Sequence, residues 1–230
     1  MTPINNPEMT HERLGADFDV LMNQYDIARR LDILIDVFLA DVALTNLSVL
    51  DAGCGTGRGA ERLAQRGANV TAVDLGMRLL QRTQERCSCD VAQTSVLALP
   101  FADATFDIVF STEVIEHTPD PIASVHEMIR VLKPNGFLSL STPNLLWQTP
   151  VRIASKLGLR PYDGLENFIS PKQLRSALSG LSGKVIAHRG IHILPFQIRF
   201  LHPMLRYVDR FGKSLLPLMI NQAILYQKEA

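Results

Sequence analysis

Apolar and polar positions change period twice along the chain. Between Asp26 and Val42, Ile27, Leu31, Leu34, Ile35, Phe38 and Val42 recur at helical spacing, which predicts an amphipathic N-terminal helix. From Ser48 the pattern shortens. Ser48–Asp51 and Asn69–Asp74 read as short apolar strands that each end in an acid, and Val91–Thr94 as a weaker third. Asp107–Ser111 is a continuous apolar run of the kind buried on both faces. Helices are predicted over Arg58–Arg66, stopped by Gly67, and over Met77–Arg86. Asp120-Pro121 and Ser170-Pro171 each place a capping side chain before a proline suited to a first helical turn. Lys133-Pro134-Asn135-Gly136 reads as a type I turn leading into a strand over Phe137–Thr142. Lys184–His188 and Ala223–Gln227 are the last candidate strands.

Strand and helix alternate from residue 48 to about residue 188, which argues for an α/β fold with a mostly parallel sheet covered on both faces. Ligands of such sheets sit outside the carboxyl ends of the strands. Residues 1–47 would then form an N-terminal helical cap, 48–188 the core, 189–222 a helical insertion and 223–230 the last strand.

The richest strand end is Asp51-Ala52-Gly53-Cys54-Gly55-Thr56-Gly57. Glycines allow a sharp turn and close approach of backbone to ligand. The spacing Gly-x-Gly-x-Gly differs from the dinucleotide fingerprint, and an acid before it is a poor neighbour for pyrophosphate. A carboxylate there suits a cationic amino group. Asp74, seventeen residues after Gly57 and again at a strand end, is placed to accept two ribose hydroxyls. Together they point to a nucleoside joined to an amino acid.

That loop, with Val-Asp (Val73, Asp74), Leu-Pro-Phe (Leu99–Phe101), Phe-Asp-Ile-Val (Phe106–Val109), Glu-Val-Ile-Glu-His (Glu113–His117) and Arg-Val-Leu-Lys-Pro-Asn-Gly (Arg130–Gly136), resembles the class I S-adenosylmethionine methyltransferases. Within them it looks most like the group of ubiquinone-pathway O-methyltransferases and small-molecule methyltransferases. The resemblance implies a Rossmann-like, seven-stranded sheet with its last strand antiparallel. It implies S-adenosylmethionine as cofactor and transfer of its methyl to an O or N atom of a small molecule. The implied cofactor residues are Asp51, Gly53, Cys54, Gly55, Gly57, Asp74, Leu75, Ser95, Val96, Leu97, Ser111 and Thr112. Ser95 stands where the pattern has an acid for the adenine amino group, and a hydroxyl accepts that bond more weakly.

Glu113, Glu116 and His117 admit three readings. His117 is a general base beside Glu113; or the three hold a divalent metal; or they are structural. No protein nucleophile is expected, since a sulfonium methyl needs mainly positioning and exclusion of water. A non-catalytic cofactor-binding protein of the same fold is the main alternative to an enzyme.

Length and composition agree with one soluble domain: 230 residues, 47% hydrophobic, 20% charged, net charge zero. Nothing global favours nucleic acid, which calls for a basic surplus. Locally, Arg189, Arg199, Arg206, Arg210 and Lys213 face Asp209 alone, amid many apolar residues. This stretch is read first as a cap on the core, then as an acceptor lid, a dimer surface or a helix lying on a membrane surface. Three cysteines, Cys54, Cys87 and Cys89, read as structural thiols of a reduced, cytoplasmic chain. Met1–Glu12 has neither the basic start nor the apolar stretch of a signal peptide. His188 and His192 stand four apart at a strand end and are not read as a metal pair.

Overall fold

The computed structural model describes residues 22–158 and 164–230; Met1–Glu12 therefore lies outside the described residues. The elements run α1 (Gln24–Leu31), a π-helical turn (Asp32–Val37), β1 (Ser48–Ala52), α2 (Arg58–Gln65), β2 (Asn69–Asp74), α3 (Met77–Arg86), β3 (Asp90–Gln93), β4 (Phe106–Thr112), α4 (Pro121–Val131), β5 (Leu132–Pro143), α5 (Gln148–Lys156), α6 (Pro171–Ser179), β6 (Gly183–Ile191), α7 (His202–Val208), α8 (Gly212–Leu215) and β7 (Asn221–Lys228). They build one seven-stranded sheet in the order β3-β2-β1-β4-β5-β7-β6. β1 to β5 pair in parallel, and β7 runs antiparallel to both β5 and β6. The Rossmann-like, seven-stranded α/β architecture expected from the sequence is the one observed.

Adjacent residues of the central strands feed two cores, which is why these strands are apolar throughout rather than alternating. Val49, Ile108 and Phe110 pack with Leu31, Leu34 and Leu63 on one face. Leu50, Val109 and Leu138 pack with Val125, Met128 and Leu174 on the other. Both proline-started helices form as expected. Asp120 accepts the amides of Ile122 and Ala123, and Ser170 closes a capping box with Gln173.

Three local expectations are corrected. Lys133–Gly136 is a wide bulge inside β5: Phe106 pairs with Leu132, and the next partner, Ile108, pairs with Phe137. Asn135 takes φ 64°, a left-handed value that asparagine tolerates. The third strand starts one residue earlier, at Asp90, because Thr71 fixes its register. Cys87 and Cys89 are joined in a disulfide across the turn after α3, so only Cys54 among the three is a free thiol. Among the described residues no helix is long and apolar enough to cross a membrane.

The β6–β7 connection is anchored by one buried acid. Asp209 is fully buried; its Oδ2 lies 2.8 Å from Arg29 Nε, and its Oδ1 accepts the His192 amide at 2.9 Å. Arg29 keeps some solvent contact, so its loss of a partner costs less than for a sealed pair. Asp209→Ala should lower unfolding free energy by about 2–3 kcal/mol. A urea midpoint unchanged from the wild type would show that this anchor contributes nothing.

Candidate functional site

The loop after β1 crosses the carboxyl end of β2 at very short range. The amides of Gly53 and Cys54 both donate to the Val73 carbonyl, at 2.8 and 2.9 Å. The Gly55 amide donates to Asp74 Oδ2 at 2.9 Å, and Gly76 to Oδ1 at 2.9 Å. Gly53, Gly55 and Gly57 all have positive φ: 80°, 55° and 79°. Gly57 has a second constraint, since a Cβ there would lie 2.9 Å from the backbone of Thr83 in α3. That helix in turn holds the loop, the Thr83 hydroxyl donating to the Gly55 carbonyl at 3.1 Å.

Asp51 lies beneath the loop, 1% exposed, and neither carboxylate oxygen completes a hydrogen bond of good geometry. Burial pushes its pKa up to about 7, the Ala60 amide offsetting this in part and the charge of Asp74 adding to it. Burial also pushes the Cys54 thiol up, so Cys54 is a neutral lining residue; its sulfur sits 3.5 Å from Thr83 Oγ1. Ser95, Val96 and Leu97 follow β3 next to the β2 end, where the Thr94 amide donates to the Asp74 carbonyl at 3.1 Å. The Ser95 hydroxyl accepts the Leu97 amide at 3.2 Å, and the Leu75 carbonyl accepts from Gln93 at 2.8 Å.

At the end of β4 the side chains turn to protein partners. The Ser111 hydroxyl donates to the Ala52 carbonyl at 2.8 Å. Thr112 Oγ1 lies 3.1 Å from Arg30 Nη1 and 3.0 Å from Ser141 Oγ. Glu113 has φ 56°, a conformation L-residues adopt at a cost, and such outliers concentrate at functional sites. Its carboxylate accepts from Ser141 at 2.8 Å and Asn221 at 2.6 Å, with Arg30 at 3.9 Å. Glu116 accepts from Thr142 at 3.0 Å. Burial raises the pKa of both acids, and for Glu116 the neighbouring Glu113 raises it further. His117 Nδ1 is 2.9 Å from the Leu165 carbonyl, while Nε2 is 3.9 Å from Glu116 Oε1. A carbonyl only accepts, so Nδ1 carries the proton and Nε2 is the basic nitrogen of the neutral ring. Glu113, Glu116 and His117 thus turn to different partners, and among the described residues no three His, Cys, Asp or Glu side chains converge as metal ligands.

The same geometry reveals a buried polar cluster that sequence reasoning missed. Arg30, 4% exposed, pairs with Asp26 at 2.7 Å and reaches both Thr112 and Glu113. Asp26 Oδ1 in turn lies 3.2 Å from Nε2 of the fully buried His192. The Asp26–Arg30 spacing of four residues on a helix was the available signal. It joins residues from α1, β4 and the end of β6 above the sheet.

A family model described as a methyltransferase domain matches residues 50–140. The ubiquinone biosynthesis O-methyltransferase of Pseudomonas entomophila is 34% identical over 159 residues, covering 63% of this chain and 68% of that protein. The chain belongs to the S-adenosylmethionine-dependent methyltransferases. A Mycobacterium tuberculosis protein named "Probable S-adenosylmethionine-dependent methyltransferase" is 32% identical over 182 residues, 78% of this chain and 62% of that one. A chain in the complex between the Haloferax volcanii Trm112 methyltransferase activator and a methyltransferase superposes with TM-score 0.70 at 16% identity, over 98% of both chains, which shows the shared fold. This methyltransferase uses S-adenosylmethionine, and its loop fits that group: the orphaned Asp51 carboxylate is matched to a cationic amino end, and the crowded glycine turn to a ligand lying against backbone.

The raised pKa of Asp51 has a signed consequence for stability. Below 3.8 the carboxyl is protonated in both the folded and unfolded states. Between 3.8 and about 7 only the folded state keeps the proton, so stability falls as pH rises through this window and then levels off. Glu113 and Glu116 act in the same sense, so the difference between wild type and Asp51→Asn isolates the one residue. Asp51→Asn should gain about 4 kcal/mol relative to wild type across the window. Parallel stability–pH curves from denaturant titrations would overturn the assignment.

Proposed function

We propose that this methyltransferase moves the methyl group to an oxygen or nitrogen atom of a small-molecule acceptor, with the cofactor across Asp51–Gly57 and the acceptor over the ends of β4 and β5. The observation that carries this reading is the pair of acids at neighbouring strand ends: Asp51, buried without a completed hydrogen bond, and Asp74, with one backbone amide on each oxygen. Asp51 answers the amino group. Asp74, whose oxygens keep a second lone pair each, answers the ribose hydroxyls. Ser95, Val96 and Leu97 border the base, and Leu75 closes the turn after Asp74. Ser111 and Thr112 serve mainly by fixing the end of β4, since their hydroxyls are engaged within the protein.

When bound, S-adenosylmethionine supplies an electrophilic methyl on a sulfonium. The chain orients the acceptor and takes its proton. His117 is the base in this reading: Leu165 fixes the tautomer, leaving Nε2 to receive the proton. Glu113 positions the same turn through Ser141, Asn221 and Arg30. The buried cluster behind it excludes water from the transfer. The acceptor class has support from the relatives named as O-methyltransferases.

Two measurements test this. Asp51 must ionise to pair with an ammonium group, so calorimetry should show proton release on S-adenosylhomocysteine binding below pH 7 and affinity rising toward that pH. Asp51→Asn should bind weakly and without this dependence; a pH-independent wild type would sink the pairing. Labelled methyl transfer to a panel of phenols, alcohols and amines tests the acceptor. With whichever is methylated, His117→Ala should lower kcat by about 10²–10⁴ and remove the rising limb of the pH–rate profile, leaving cofactor affinity unchanged. Near-full activity of that variant would return His117 to a structural role.

A further inference from the structure

Large apolar side chains left in solvent are not scattered over this molecule. Of the fourteen that are exposed among the described residues, eleven fall within residues 145–157 and 194–218. Phe200 is 81% exposed, Leu157 68%, Tyr207 57%, and Leu146, Ile153 and Leu218 54% each. Single exposed apolar residues are ordinary, but a concentration of this kind marks an interaction surface.

The two segments adjoin. Trp147 Nε1 donates to the Leu218 carbonyl at 3.0 Å, and Asn144 Nδ2 donates to the Leu216, Pro217 and Met219 carbonyls. They also share a sign of charge. Arg152, Lys156, Arg199, Arg206, Arg210 and Lys213 are all exposed. The one acidic residue in either segment, Asp209, is turned inward and fully buried against Arg29. The chain as a whole is neutral, so this surplus is local. Arg206 lies 5.5 Å from the centre of the Tyr25 ring and Arg210 5.7 Å from that of Tyr207, which leaves these cations beside the apolar groups.

We propose that residues 145–157 and 194–218 form a docking surface for an anionic lipid bilayer. The chemistry is that of an interfacial element: aromatic and aliphatic side chains enter the headgroup boundary, and interspersed Lys and Arg meet lipid phosphates. A protein interface gathers its charged groups, Arg excepted, into a polar rim and depletes them from its apolar centre. Here cations run through the apolar face with no exposed acid among them. The contact is peripheral, with short helices lying on the surface.

Vesicle sedimentation of the full chain tests this, using phosphatidylcholine alone and phosphatidylcholine mixed equally with phosphatidylglycerol. Binding is expected to the mixed vesicles, weakening with salt, and little to phosphatidylcholine alone. The triple variant Arg199→Gln, Arg210→Gln, Lys213→Gln should bind about a hundredfold more weakly, about fivefold for each charge. Phe200→Ser with Leu157→Ser takes one anchor from each segment and should weaken binding by at least about tenfold per residue. All of these side chains are exposed, and unchanged circular dichroism and Tm confirm that the variants fold. The proposal is overturned if neither vesicle binds, or if both variants bind like the wild type. It is equally overturned if sedimentation velocity shows a wild-type dimer that Phe200→Ser with Leu157→Ser splits into monomers, since a second copy would then occupy this face.

Discussion

Everything at the candidate site depends on how closely one turn of backbone approaches the end of a neighbouring strand. Two successive amides, Gly53 and Cys54, share the Val73 carbonyl, and the next, from Gly55, is taken by Asp74. A carbonyl accepting two donors and a carboxylate accepting a third leave the loop no freedom to lift away. This contact sets three left-handed glycines in sequence, buries Asp51 beneath them and brings two carboxylates to adjacent strand ends. The same closeness keeps Asp51 from hydration, and its raised pKa follows. A cation brought to that position would recover what burial costs the charged form.

A second buried system lies beyond the first. Arg30 ties α1 to the end of β4, and Asp26 ties it to His192 at the end of β6. Without Arg30, Glu113 and Glu116 would be two acids sealed close together; burial already pushes both toward the protonated form, the charge of Asp26 adding to this for Glu113 and that of Glu113 for Glu116. The N-terminal helix is therefore part of the site, not only a cover for the core.

The parts legible in the sequence were those whose physics is local. The Asp51–Gly57 loop needs its glycines for the turn itself, and Asp120-Pro121 and Ser170-Pro171 carry their caps beside them. The apolar runs of β1 and β4 announce burial on both faces. What escaped was settled at long range. Lys133–Gly136 has the composition of a turn, yet pairing with β4 draws it into a bulged strand. The cluster of Asp26, Arg30, His192 and Asp209 unites distant parts of the chain, and only the Asp26–Arg30 pair falls within one short window. Glu113 and His117 were marked by their motif, but not their partners: Asn221 and Leu165 come from segments whose placement depends on the finished sheet.

The strand order carries an implication for how the molecule assembles. β6 is made before β7, yet among the described residues its only partner in the sheet is β7, which also bridges it to β5. A growing chain that has reached Ile191 can therefore complete β1 to β5 as a parallel platform while β6 waits unpaired. It joins only when Asn221–Lys228 slides between β5 and β6 and satisfies both at once. Such non-local pairing is slow, because loop closure must precede the reward. The intervening apolar and cationic segment thus spends that interval tethered to an open sheet edge, where a nascent chain is most exposed to aggregation and to chaperones.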